Sequence, residues 1–182
     1  PTLLFLAVAP ISRAVQISAD PFLTGAGNYT PGINNLIAQG PALTGYSGDW
    51  LPAYGGAQSP DVLETGLAYA GLTSAGGAIR YTGGGGGRCG RILSSGYDNN
   101  YSGSIYVGVL IQLETASSDY RAFELHEGGF DDGGNRRLQI AVGESVGGLV
   151  PASDFALRIN ESTGMSLGGH DADVNLFVIR ID

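Results

Sequence analysis

The chain has 182 residues, about one domain's length, and 31 of them are glycine, more than twice the usual share of roughly 7%. An apolar content of 43% excludes a disordered chain, and glycines without a three-residue period exclude a collagen-like one. The net charge is −8, from 17 acids against nine arginines and no lysine, which argues against a nucleic-acid partner, because neutralising phosphates takes clustered basic side chains.

In chain order, Thr2 to Ala9 is an apolar run of signal-peptide type, and Ser12-Arg13-Ala14 gives the small-x-small pattern of a cleavage site. Pro1 to Ala14 therefore reads as part of a secretory signal, too short to span a bilayer, which needs about 20 residues. Removing it takes Arg13 away and leaves a net charge of −9, eight arginines against 17 acids. The remaining segment, 15–182, reads as one domain. No transmembrane helix is expected in it.

The body of the chain shows alternation rather than a 3.6-residue period, the mark of strands with one buried face. Gln16 to Asp20, Leu63 to Leu72, Ala78 to Thr82 and Cys89 to Leu93 are short strand candidates, and Ile33 to Gln39 a single helical turn. The five glycines Gly83 to Gly87 read as a loop, since glycine loses the most backbone freedom on ordering. Cys89 has no second cysteine to pair with. Its flanking Arg88 and Arg91 would lower a thiol pKa, while its strand setting suits a small buried hydrophobe.

The clearest strand is Ser104 to Glu114, with Ile105, Val107, Val109, Ile111 and Leu113 on one face. Tyr120 to Glu127 puts Phe123 and Leu125 on one face, with Glu124 and His126 on the other. Arg137 to Gly143 buries Leu138, Ile140 and Val142 and exposes Arg137, Gln139 and Ala141. Short polar links join these three, so the pattern predicts an antiparallel meander. Phe155 to Ile159 and Val174 to Ile181 add two strands. The second is apolar on both faces, as for a central strand covered on each side. About nine strands without a convincing helix predict an all-β, antiparallel two-sheet β-sandwich or jelly roll. The strand pattern of Val174 to Ile181 runs to Asp182 without a closing turn, so the domain is expected to lack its last strands.

Several short motifs recur in a familiar order: Ile17-Ser18-Ala19-Asp20-Pro21-Phe22, Gly45-Tyr46-Ser47-Gly48-Asp49-Trp50, Arg80-Tyr81-Thr82-Gly83-Gly84, Gly90-Arg91-Ile92-Leu93, Ser104-Ile105-Tyr106-Val107 and Asn135-Arg136-Arg137-Leu138-Gln139-Ile140. From Val15 to Asp182 the chain resembles the concanavalin A-like, LamG-type jelly-roll domains of secreted bacterial proteins that carry PEP-CTERM sorting tails. The resemblance implies a jelly roll and a cell-surface or extracellular location. Some members of that superfamily bind or cleave glycans. The sorting tail itself is not in this sequence.

Catalytic motifs are few. A phosphate loop needs a lysine, and the glycines of Gly83 to Gly90 precede no helix. A serine triad needs a histidine base. Only His126 and His170 are present, and two isolated histidines with one cysteine do not suit zinc. Laminarinase-like glucanases place acids at alternate strand positions. The nearest match, Glu124-Leu125-His126-Glu127, puts Glu127 on the wrong face and Gly128 where an acid is needed, so no catalytic residue is assigned. Asp131, Asp132 and Asn135 form an oxygen-rich loop that could hold calcium but reads first as a turn, as does His170-Asp171-Ala172-Asp173. No cofactor is expected. The three glycosylation sequons, beginning at Asn28, Asn100 and Asn160, matter only in a eukaryotic secretory pathway.

The remaining candidate is the outward face of the meander, with Tyr106, Gln112, Glu124, His126, Arg137 and Gln139. A ring for stacking, flanked by planar polar groups, suits sugars, although the same alternation is what any half-solvated sheet requires. Trp50, Tyr97 and Tyr101 are further aromatic candidates, and a lone tryptophan after a glycine-rich turn favours a core anchor. The sequence thus predicts an exported, non-catalytic module with a candidate carbohydrate-binding face. The alternatives are a structural or adhesive envelope protein without a small ligand, and a glycosidase.

Overall fold

The computed structural model describes residues 19–53, 59–72, 76–81, 88–94, 104–113, 121–128, 136–142, 151, 153–160, 164–169 and 171–181, and every contact named below lies among them. The signal segment Pro1 to Ala14, the Gly83 to Gly87 loop, Tyr97, Tyr101, the Asp131, Asp132 and Asn135 loop and His170 fall outside them.

The fold is all-β and antiparallel, with no helix among the described residues. Among the described residues ten strands are formed: β1 (Tyr46–Ala53), β2 (Asp61–Leu63), β3 (Ala78–Arg80), β4 (Arg88–Leu93), β5 (Ile105–Gln112), β6 (Arg121–His126), β7 (Arg136–Val142), β8 (Asp154–Ile159), β9 (Met165–Gly169) and β10 (Val174–Ile181). They pair as a four-stranded sheet, β6-β7-β8-β9, and three two-stranded ribbons, β5–β10, β1–β4 and β2–β3.

The sandwich is made where the β5–β10 ribbon lies across the four-stranded sheet. Odd-numbered residues of the ribbon, Val109, Ile111, Phe177 and Ile179, pack on Ile140, Val142 and Phe155 of the sheet, with Phe123 and Leu157 at the margin. Phe155 meets Phe177 edge to face at 4.9 Å, a favoured aromatic geometry. A second core gathers Tyr29, Leu36 and Val62, with Phe22, Leu43, Trp50 and Cys89 against them.

The alternation read in Ser104 to Glu114 is therefore real, but its neighbours differ from those expected. β5 pairs with β10 along its whole length, Ile105↔Ile181 to Gln112↔Val174, and not with β6. The meander is β6-β7-β8-β9, one strand later in the chain. Two strands also exchange roles. β10 was expected to be covered on both faces, yet Val178 is 64% exposed. β7 was expected to expose Gln139 and Ala141, yet both are only 1% exposed, as are Leu138 and Ile140. A one-methyl side chain buries no polar atom, and the Gln139 amide donates to Glu124, so a strand that alternates in polarity can still be covered on both faces.

Other expectations need correction. The stretch Leu63 to Leu72 is strand only at its start. Beyond it the chain turns at Ala70-Gly71, closed by a Tyr69↔Leu72 bridge with Gly71 at φ 82°. Ile33 to Gln39 is not helical but two turns, with Asn34 and Ala38 at positive φ. Ala19 and Asp20 are not in a strand. β1 and β9 carry weak alternation and were not anticipated. β9 is exposed along its whole length at the sheet's edge, next to a register shift at Phe155/Ala156 and with Gly168 at φ 105°. Part of the glycine excess serves close backbone approach: a Cβ on Gly76 would overlap the Pro21 carbonyl oxygen, and one on Gly77 that of Leu63. Gly77 N–H donates to Phe22 O at 3.0 Å there.

Phe155→Ala should remove the centre of the inter-layer core. The expected loss is about 3–5 kcal/mol of unfolding free energy, read from urea denaturation. A loss below about 1 kcal/mol would mean that the layers are held elsewhere.

Candidate functional site

The six residues expected to share one face are divided between the two layers. Even positions of β5 point away from the inter-layer core, so Tyr106 and Gln112 lie on the outer face of the ribbon. Glu124, His126 and Gln139 lie on the outer face of the four-stranded sheet, on the other side of the sandwich. The expected single groove does not form, because β5 and β6 belong to different sheets.

On the four-stranded sheet, Glu124 and Gln139 are cross-strand partners. Gln139 Nε2 donates to Glu124 Oε1 at 2.6 Å, and His126 Nε2 stands 2.9 Å from Glu124 Oε2. A carboxylate can only accept, so Nε2 carries the hydrogen. Arg136 Nη1 adds a cation 3.8 Å from Glu124 Oε1. It reaches this side because a register shift between Leu125 and His126 sets His126 opposite Arg136. The glutamate and histidine side chains are about nine-tenths buried (11% and 9% exposed). Arg137 is exposed and pairs with Glu127, with Asn160 Oδ1 at 3.5 Å. These polar groups are turned on one another rather than to solvent.

The outer face of the ribbon is different. Tyr106 is 60% exposed. Its cross-strand partner is Arg180, whose Nε donates to Ser104 Oγ at 3.2 Å. The next outward pair is Gly108 and Val178, and a Cβ at Gly108 would meet nothing within 4 Å. Leu110 with Leu176, then Gln112 with Val174, complete the face. Gln112 Nε2 donates to Ala172 O at 3.0 Å. Asp171, Ala172 and Asp173 form the expected turn, closed by Asp173 N–H on Asp171 Oδ1.

A third polar cluster was not foreseen. Arg91 and Asp20 are almost wholly buried, with side chains 2% and 6% exposed. Tyr29 Oη donates to Asp20 Oδ2 at 2.5 Å and accepts from Trp50 Nε1 at 2.8 Å and Arg91 Nη1 at 3.0 Å, which uses its full capacity. Arg91 also donates from Nε to Gly48 O and from Nη2 to Pro41 O, and its guanidinium lies 5.1 Å from the Tyr46 ring centre. Burial, reinforced by the bond to Asp20, holds the Tyr29 phenol well above its ordinary range. Asp20, Tyr46, Trp50 and Arg91 come from three of the motifs that carried the family resemblance, and Trp50 takes the core position expected of it. Only their separation along the chain hid the cluster.

The flanking arginines do not activate Cys89. Burial pushes its thiol up to about 12, so it is an inert member of the second core. Among the described residues no three metal-ligating side chains gather, and no helix is long and apolar enough to cross a membrane. Comparison of the chain with family models, curated proteins and solved structures returned no match.

Two outcomes follow for the buried groups. Arg91→Met strands the Asp20 charge and should cost about 3–5 kcal/mol of stability, measured by urea unfolding; a cost under 1 kcal/mol would show the cluster to be dispensable. The Cys89 thiol ionises near 9 when unfolded and near 12 when folded. Its contribution is complete below pH 9 and is lost as pH rises towards 12. Stability measured between pH 9 and 12 should fall less steeply in Cys89→Ala than in the parent.

Proposed function

We propose that the protein is an exported, non-catalytic β-sandwich module of the bacterial cell envelope or surface that binds carbohydrate through the outer face of β5–β10. The observation that carries this reading is Tyr106, an aromatic ring 60% exposed on the outer face of the β5–β10 strand pair. Beside it, Gly108 leaves space for a sugar ring. Ring faces stack on tyrosine while planar polar side chains bond hydroxyls, and Arg180 and Gln112 supply such groups at the two ends of the face. The signal-like Pro1 to Ala14 segment and the resemblance to PEP-CTERM-type jelly-roll proteins support export.

The non-catalytic reading is supported by the engagement of the nearest acids. Glu124 is held by Gln139 and His126, and Glu127 by Arg137. A glycosidase needs two carboxylates facing one bond. The same engagement of Glu124 and Glu127 favours the alternative of a structural or adhesive envelope protein.

A glycan array and affinity gel electrophoresis with bacterial and algal polysaccharides test the reading. At least one glycan should bind, and Tyr106→Ala should weaken it about tenfold, equivalent to ~1.4 kcal/mol. Failure across the whole panel favours the structural alternative. Hydrolysis of a β-glucan, abolished by Glu124→Gln, would make the protein an enzyme and overturn the proposal.

A further inference from the structure

We infer that the glycan taken by the Tyr106 face is a neutral, β-linked polysaccharide of cellulose or xylan type, one extended chain lying along the strands with the C–H faces of its rings on apolar side chains; this rests on the reading of that face as a glycan surface. Next to Tyr106 on the outer face come two successive cross-strand pairs, Gly108 with Val178 and Leu110 with Leu176. None of the four carries a hydrogen-bonding side chain, and Val178 is 64% exposed. Polar side chains stand only at the two ends, and each is already tied to the protein. Gln112 Nε2 donates to Ala172 O, and Arg180 Nε donates to Ser104 Oγ, with a further contact on Arg180. The middle of the face therefore rewards buried carbon rather than a pattern of hydroxyls. A pyranose whose hydroxyls are all equatorial keeps them at its rim and offers C–H bonds on its faces. An axial hydroxyl would be pressed against Val178 or Leu176 without a partner, at a desolvation cost.

The dimensions of the face select a narrow ligand. Among the described residues the ribbon has two strands of eight residues each. At roughly 3.4 Å per residue and about 4.8 Å between strands, they form a strip about 27 Å long and 10 Å wide. Its area, about 270 Å², is about a third of the roughly 800 Å² that each partner gives to a stable protein interface. A second protein would have to find most of its contact elsewhere, whereas one sugar chain laid along the strip would not. Charge narrows the choice further. Gln112 reaches the turn that carries Asp171 and Asp173, and the whole chain has a net charge of −8. Polyanions are repelled by both, which leaves neutral glycans.

Affinity electrophoresis of the full chain tests this, through gels containing hydroxyethyl cellulose or xylan (neutral, equatorial), galactomannan (neutral, with axial hydroxyls) or alginate (anionic). Retardation is expected in hydroxyethyl cellulose or xylan, unchanged by added salt, and should be weak in the other two. Val178→Asp, which sets a charge under the apolar ring face, should reduce it about tenfold at an unchanged melting temperature. Should that variant melt lower, Val178→Thr, which keeps the branched shape, should weaken retardation without doing so. Galactomannan or alginate bound as tightly, or binding lost in Tyr106→Ala but unchanged in the Val178 variants, overturns the inference and leaves the Tyr106 glycan surface standing. A dimer in sedimentation equilibrium that Val178→Asp dissociates would mean that a second copy covers the face, and overturns both. Retardation in none of the gels overturns the inference, and with a blank glycan array as well it overturns the reading of the face.

Discussion

The two layers are held by apolar contact between the odd-numbered residues of β5 and β10 and the inner face of the four-stranded sheet, centred on Phe155 and Phe177. This contact fixes more than stability. Side chains alternate along a strand, so once Val109, Ile111, Phe177 and Ile179 face inward, Tyr106, Gly108, Val178 and Arg180 must face outward. A one-residue slip would exchange the two sets. The composition of the candidate surface is therefore a by-product of the core, and Tyr106 stands beside Arg180 because Val107 stands beside Ile179.

The second core depends on a different device. The chain from Ala19 to Leu43 has almost no regular structure, so side chains do the work that ladder hydrogen bonds do elsewhere. Arg91 on β4 ties it at Asp20, Tyr29 and Pro41, and at the same time holds β1 through Gly48. Asp61 on β2 takes Arg80 and the Asn34 N–H, and Ser59 takes the Ile37 N–H. Buried ions of this kind cost desolvation free energy. They also leave few other arrangements for an irregular segment, because any other arrangement strands a charge.

Strand identity was legible wherever apolar residues alternated strongly, as in β5, β6, β7 and β8, or ran together between turns, as in β10, because both patterns are local properties. Partnership was not. Nothing local distinguishes a β5 that pairs with β6 from one that pairs with β10, and the choice decides which polar residues share a surface. Gln139 and Ala141 illustrate a second limit: burial of an amide is permitted by its partner Glu124, and that partner lies on another strand. The Arg91 cluster joins residues up to 71 positions apart, and no spacing rule reaches that far. β1, with a positive-φ glycine at Gly48 and a register shift between Ser47 and Leu51, lacks the regular alternation that would have exposed it.

The edge strand β9 has a consequence for how copies of the molecule meet. A long flat edge is a template on which another chain can add a strand. Here the last strand is only five residues long, ends in Gly168-Gly169, and follows a shifted register on β8. Such a kinked border resists sheet-to-sheet growth even though Met165 and Leu167 are open to water. Straightening it, rather than adding hydrophobicity, is the change that would turn crowding into polymerisation.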